Sequence, residues 1–317
     1  GEVLRAGTWG SAGVVGAGRA PGPGWAREGP RRRSSLGVMS SRRPATVPPA
    51  AAPSSEAARS LAELPPVTLS EYDGVRYLHL GSVWVQGAMR IRKPDAVELD
   101  YVQRMLASLL WLPTARLEHP ASLHAVQLGL GSAAVTRFMH RQLRVRTTAV
   151  ELNPQVVTAA RLWFHLGDDD ALLRVQRDDA LRWLQTDGQP GSADLLHVDL
   201  YDHEAAAPVL DDEAFYGRCR ALLAPGGTMS VNLFGRHASY AASAARIAAV
   251  FGADQVWSLR PTREGNTVVV AGQGVVVPGR DELLSRAAWI EQRFGALGLK
   301  ARQWLRMVRP YRPSSPA

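Results

Sequence analysis

The 317-residue chain has a single cysteine, Cys219, and only two lysines, Lys93 and Lys300. One thiol cannot close an internal disulfide, so the fold is expected to stand without cross-links, and a reducing compartment, the cytoplasm, is the default expectation. Of 37 basic residues, subtracting two lysines leaves 35 arginines, a bias read as composition and not as a phosphate-binding design. No run of about 18 apolar residues occurs, so no membrane-spanning helix is expected. A broad basic surface is missing too. The formal charge is +8, but nine arginines against four acids place +5 of it in the first 66 residues, leaving +3 (28 basic, 25 acidic) for the other 251. A nucleic-acid partner is therefore not expected.

Large apolar side chains are scarce in residues 1–64, where Gly, Pro, Ser, Ala and Arg dominate ("GAGRAPGPGW", "RRRSSLGVMSSRRPATVPPAAAPSS"). Such a stretch buries too little to offset its ordering entropy, and a disordered tail is expected there. Met39 offers an alternative start. No apolar stretch of signal length follows Arg31–Arg33, so no export signal is read.

Residues 65–95 change texture. "VTLSEYDGVRYLHLGSVWVQGAM" alternates and turns at Asp73-Gly74, which predicts a small antiparallel sheet domain. From 96 to 273 strands and helices alternate, beginning with a helical pattern over 96–110. Strands are expected at 124–130, 146–152, 172–177, 194–200, 228–234, 255–259 and 266–272, with helices near 133–142, 154–165, 179–185, 213–223 and 239–251. Seven mostly apolar strands separated by helices imply an α/β architecture, a mostly parallel sheet covered on both faces. The short link Arg260 to Gly265 implies an antiparallel hairpin at one edge. Residues 274–317 hold one amphipathic helix, 281 to about 307, with a basic end read as a solvated face or a partner surface.

Sheets of this kind bind ligands at the carboxyl ends of their strands. The first strand ends in "QLGLGSA", where Gly129 and Gly131 permit a tight turn and a close backbone approach. The second ends in "VELNP", placing Glu151 22 residues after Gly129, a spacing suited to a carboxylate that accepts both ribose hydroxyls of a nucleoside; a place beside a helix N-cap is the alternative. The third runs into "RDDALRWL". There Asp178 or Asp179 stands at the same mouth, and Asp179 either takes an adenine amino group, with Ala180 against the ring, or caps the next helix. The fourth ends in "HVDLYDH": His197 and Asp199 share a strand face, and Asp202 follows in the loop. His197, Asp199, Asp202 and His203 invite a metal reading, but no second histidine cluster stands at ligand spacing, and no metal is expected.

This set of motifs resembles the spermidine synthase (polyamine aminopropyltransferase) family, and its "D-x-Y-D" form is most like the divergent bacterial members. The likeness covers about residues 67–273 and rests on "VWVQGAM", "LGLGSA", "VELNP", "RDDAL", "VDLYD", the "FY" at 215–216 and "LLAPGGTMSVNLF". It implies a Rossmann-like, class I S-adenosylmethionine-dependent methyltransferase fold and a homodimer. It implies Asp199 as the catalytic acid-base group, with Asp202, Tyr101 and Tyr201 binding an amine acceptor. Gln86, Gly129, Gly131, Ser132, Glu151, Asp178, Asp179 and Ala180 would then hold the nucleoside donor, decarboxylated S-adenosylmethionine or S-adenosylmethionine itself.

Two departures stand out. Ser132 occupies the place of a family Asp that binds the donor's amino end, and a hydroxyl in place of a carboxylate forfeits a charge-assisted bond of about 1.5–3 kcal/mol. In "VELDYVQRM", Arg104 replaces a family Glu. The chemistry implied is displacement at a sulfonium by an unprotonated amine. An alkylammonium with a pKa of about 10.4 must first lose a proton, which gives Asp199 and Asp202 their roles. Aminopropyl transfer to a diamine such as putrescine is the first expectation. Methyl transfer to a small acceptor, which Ser132 suits, and a non-catalytic nucleoside-binding homologue are the alternatives.

Overall fold

A computed structural model describes residues 64–200, 210–234 and 237–312. Apart from Leu64, the tail expected over 1–64 lies outside them.

Strands β1 (Val67–Tyr72), β2 (Val75–Leu80) and β3 (Val85–Arg90) form an antiparallel sheet in that order. Asp73 and Gly74 turn the first hairpin with φ of 50° and 72°, the left-handed pair that Asp-Gly accommodates.

The second sheet comprises β4 (His124–Leu128), β5 (Arg146–Glu151), β6 (Leu173–Arg177), β7 (Ala193–Val198), β8 (Leu223–Phe234), β9 (Val256–Ser258), β10 (Asn266–Gly272) and β11 (Arg309–Pro310). The order is β11-β9-β10-β8-β7-β4-β5-β6, parallel from β8 to β6 and antiparallel at β10, β9 and β11. Seven strands were expected and eight are present, because Arg309 and Pro310 pair with Ser258 and Trp257 at the edge. β4 sits between β5 and β7, so the chain leaves it in one direction and later returns on its other side. A crevice opens at such a switch, beyond the carboxyl ends of these strands.

Alternation along the buried strands sends successive residues to opposite cores. On one face Leu195 shares a hydrophobic core with Met105 of α1 (Asp100–Met105), Ile290 of α8 (Arg280–Phe294) and Trp304 of α9 (Ala301–Met307). On the other, Leu196 and Val198 share a core with Trp183 of α5 (Ala180–Thr186), Phe215 of α6 (Glu213–Leu222) and Ile247 of α7 (His237–Phe251). Each such side chain, fully buried, contributes about 1.5–3 kcal/mol. A third cluster joins Leu78 and Met89 of the small sheet to Leu130, Val156 and Phe164, which lays that sheet over the glycine loop and over α4 (Pro154–Trp163). Short α2 (Thr114–Glu118) and α3 (Ala134–Arg137) complete the helices used below.

Several boundaries differ from expectation. The helix expected over 96–110 begins at Asp100 and tightens at Leu106–Trp111 into a 3-10 segment that is buried throughout. After α3 the chain widens into a π turn at Phe138–Gln142. The single C-terminal helix is two, because Gly298 takes φ +98° and Leu299 N–H bonds back to Phe294 C=O, a glycine stop inside the amphipathic pattern.

Candidate active site

The site is built where β4, β5 and β7 end. Gly129 and Gly131 have φ of 83° and 52°. A Cβ on Gly129 would lie 2.2 Å from the Asp199 carbonyl oxygen, and one on Gly131 3.0 Å from that of Gln86. The loop therefore touches two walls of the crevice with bare backbone. Gly129 N–H donates to Val150 C=O and Asp199 N–H to Leu128 C=O, both at 2.9 Å, which ties the three strand tips together.

Glu151 is fixed by the same loop. Its Oε2 accepts Leu130 N–H at 2.9 Å and its Oε1 accepts Asn153 N–H at 2.8 Å, with Leu152 N–H a third backbone donor, so the carboxylate is fixed in place and keeps acceptor capacity for a ligand hydroxyl. Burial raises its pKa, and the backbone donors partly offset that. Asp179 caps α5, its Oδ1 accepting Arg182 N–H at 2.9 Å, so the capping role left open in the sequence is present. Asp178 stands beside it, its Oδ1 accepting Asp179 N–H at 2.9 Å.

Asp199 lies just past the end of β7. Its Oδ1 accepts from Asn232 Nδ2 at 2.8 Å, and Asn232 Oδ1 in turn accepts from Asn266 Nδ2 at 3.1 Å. The Tyr101 hydroxyl also donates to Asp199. Burial pushes its pKa upward, and these two donors pull it part of the way back. The result is a carboxylate more basic than usual, held in a fixed orientation.

Two cavities meet at this carboxylate. One, of about 300 Å³, is lined by Gln86, Gly129, Gly131, Glu151, Asp178, Asp179, Ala180 and Asp199. The second, of about 430 Å³, is lined by Tyr77, Trp84, Gln86, Tyr101, Asp199, Asn232 and Phe234, with carboxylates Glu98, Asp100 and Glu264 on its walls. Gln86 and Asp199 line both. The first combines apolar side chains with carboxylates and an amide, a lining suited to a nucleoside; the second is aromatic and acidic, suited to a cation.

Not every expected residue is there. Ser132 is 3% exposed, its hydroxyl facing Ala88 C=O at 3.4 Å, and a Cβ on Gly87 would lie 2.5 Å from its side chain. It supports the contact with β3 and does not line the first cavity. Tyr201, Asp202 and His203 lie outside the described residues. His197 is buried with Nδ1 2.8 Å from Ser230 Oγ, and burial pushes its pKa down to about 3. No cluster of three His, Cys, Asp or Glu suited to a metal occurs among the described residues.

Sequence reasoning missed Leu64, Pro65 and Leu80 on the apolar side of the first cavity, and Asn232, Phe234 and Glu264 in the second. Asn232 carried a signal: a buried amide in an otherwise apolar strand end needs a partner. The hairpin carrying Glu264 carried none, because its approach to Asp199 depends on sheet order.

No family model matches the chain. A protein from Chromobacterium violaceum named polyamine aminopropyltransferase is 30% identical over 234 residues, 73% of this chain and 86% of that one. A protein of the same name from Neisseria meningitidis serogroup A is 30% identical over 233 residues, 73% and 85% of the two chains. Among solved structures, a probable spermidine synthase from Corynebacterium glutamicum matches with a TM-score of 0.58 at 18% identity, covering 79% of this chain and 94% of its own. Human methyltransferase-like protein 13 in complex with SAH matches at 0.55 and 23% identity, covering 62% and 93%. At these identities the two structures establish a shared fold.

Proposed function

The chain belongs to the polyamine aminopropyltransferase family, and from that premise we propose that it transfers an aminopropyl group from decarboxylated S-adenosylmethionine to an amine of a polyamine acceptor such as putrescine. The observation that carries this reading is that Asp199 and Gln86 line both cavities, so one basic carboxylate stands where a nucleoside slot and a cation groove meet.

Glu151 takes the ribose hydroxyls. Asp178 or Asp179 takes the adenine amino group, with Ala180 against the ring. Gly129 and Gly131 admit the sulfonium end, and Gln86 closes the slot from the small sheet. In the second cavity Tyr101 flanks the acceptor. Its amine nitrogen attacks the carbon next to sulfur, the C–S bond breaks towards the departing methylthioadenosine, and the proton lost by nitrogen passes to Asp199, whose raised pKa suits it to receive one. Asp202 and Tyr201 keep the acceptor-binding roles that the resemblance implies. Residues 96–273 bind and react, while 65–95 close the donor slot. A cytoplasmic homodimer that uses no metal completes the reading, and the lone buried Cys219 accords with a reducing compartment.

One observation favours a second reading, methyl transfer. Where the family carries an Asp, this chain has Ser132, turned toward Ala88 and away from the donor cavity, so that position supplies no carboxylate, and S-adenosylmethionine, which keeps its own, would meet less repulsion. Incubating the protein with each donor and putrescine, with products read by mass spectrometry, separates the two. Spermidine with methylthioadenosine supports aminopropyl transfer; a methylated amine with S-adenosylhomocysteine overturns it.

A further inference from the structure

Three neighbouring strands place one polar side chain each in a row across the sheet. β7 runs out into Asp199, β8 carries Asn232 and β10 opens with Asn266. Val198 pairs with Val231, so one further step along both strands sets Asp199 beside Asn232. Asn266 pairs with Phe234, two residues beyond Asn232 on the same face of β8, which makes the two amides diagonal neighbours within reach of each other.

A carboxamide can bond through either end, and the partner of one end decides what the other presents. Asn232 is buried; its Oδ1 accepts from Asn266 Nδ2 at 3.1 Å, which leaves its Nδ2 to donate to Asp199 Oδ1 at 2.8 Å. Asn266 is oriented in its turn. Its Oδ1 lies 3.5 Å from the Thr262 hydroxyl, and its N–H donates to that hydroxyl at 3.2 Å. Thr262 is itself buried and closes the hairpin, its N–H donating to Asn266 C=O at 2.7 Å. Donation therefore runs one way, from Thr262 through both amides to the carboxylate. An inverted Asn232 would aim Oδ1 at Asp199, oxygen against oxygen.

We infer that Asn266 is a positioning residue for the reaction: by donating to Asn232 Oδ1 it fixes which end of that amide meets Asp199, and so keeps the carboxylate aimed at the acceptor. This rests on the reading in which Asp199 receives the acceptor's proton. Asn266 also lines the second cavity, so direct contact with the acceptor is the rival role.

The test uses the full chain with decarboxylated S-adenosylmethionine and putrescine. In Asn266→Leu, kcat falls about tenfold, the acceptor KM stays within about twofold of wild type, and the acid limb of kcat/KM moves to higher pH. Glu151, Asp178 and Asp179 share the first cavity with Asp199, Tyr77, Glu98, Asp100, Tyr101 and Glu264 the second, and His197 precedes it on β7. All of these titratable groups are unchanged in the variant, so a moved limb reports the amides. Because Asn266 acts through Asn232, the same substitution made in Asn232→Ala adds less than about a twofold loss. A loss that adds in full to that of Asn232→Ala, or a raised acceptor KM with the acid limb unmoved, overturns the inference.

A second readout needs no turnover. With aspartate carboxyl carbons labelled with carbon-13, the Asp199 resonance, identified by its loss in Asp199→Asn, should titrate about half a pH unit or more higher in Asn266→Leu. If wild type forms no product, the transferase reading fails and this titration alone decides: a rise sustains the positioning role, and an unchanged midpoint rejects it. Asn266→Asp keeps the shape but can only accept, and it serves if the leucine variant does not fold. There a rise that disappears in the Asn232→Ala background sustains the inference, and one that persists there, or no rise at all, rejects it.

Discussion

The carbonyl oxygen of Asp199 lies 2.2 Å from where a Cβ on Gly129 would be, and Gly129 holds φ +83°. The loop that faces the donor and the strand that carries the basic carboxylate are thus packed backbone against backbone. Gly129→Ala combines a left-handed strain of about 1–2 kcal/mol with a contact that only backbone movement can relieve. It is expected to lower stability by more than 2 kcal/mol and to weaken methylthioadenosine binding at least tenfold. Gly191→Ala is the control: φ is +68° but nothing lies within 4 Å of the added Cβ, and the residue precedes β7 at the opposite end of the sheet. Thermal unfolding and calorimetry of the two variants check this, and equal nucleoside affinity in both rejects it.

Asn232 supports the charged form of Asp199 by donating to it. Asn232→Ala removes that donor, so the carboxyl rises further in pKa and the acid limb of the kcat/KM profile moves to higher pH. A fall in kcat of about tenfold to a hundredfold accompanies it, since general-base steps are worth about that much or more. A profile that keeps its acid limb would show that Asp199 is not the group titrating.

The fold was largely legible from composition and period. Apolar strand runs separated by helices led to the parallel sheet, and Asp73-Gly74 to the first hairpin. What remained hidden was non-local. The edge pairing of Arg309 with Ser258 needs no apolar pattern, and the break at Gly298 sits inside a periodic stretch where a single glycine is easily read through. For the site, a glycine loop and acids at strand tips mark one crevice, because the topology sends all strand ends to it. Ser132 illustrates the limit: its motif position suggests a ligand contact, whereas its neighbour across the loop is Gly87 of the small sheet. No local signal in "LGLGSA" records that docking.

Stability and activity are expected to oppose one another at Asp199. Its folded-state pKa is raised by burial, so its stabilising contribution is complete below the unfolded value of about 3.9 and is lost as pH rises through the folded value. At neutral pH the protein holds a poorly solvated charge there. Asp199→Asn removes the charge and leaves an oxygen to accept from Asn232. The variant should lose most activity yet melt higher than wild type at pH 7, with the gap closing as pH falls to about 4. Melting curves across that range decide it, and a variant less stable at every pH contradicts the argument.

Arg137 ties the donor loop to the rest of the molecule. It is 3% exposed; its guanidinium donates to Ser132 C=O at 3.0 Å, to Phe164 C=O, and to Pro94 C=O at 3.1 Å. Burial first, and then Arg141, lower its pKa to about 10, with Asp95 opposing, so the side chain remains charged at neutral pH. Three carbonyls from three segments are satisfied by one planar fork, a geometry that an ammonium cannot copy. Arg137→Met leaves all three without a donor and is expected to cost about 2–4 kcal/mol, with Arg137→Lys intermediate. Because Ser132 ends the glycine loop, Arg137→Lys should raise the donor KM more than it lowers kcat. Urea unfolding gives the first quantity and steady-state kinetics the second. A lysine variant that is destabilised while its donor KM stays at the wild-type value would confine Arg137 to holding the fold.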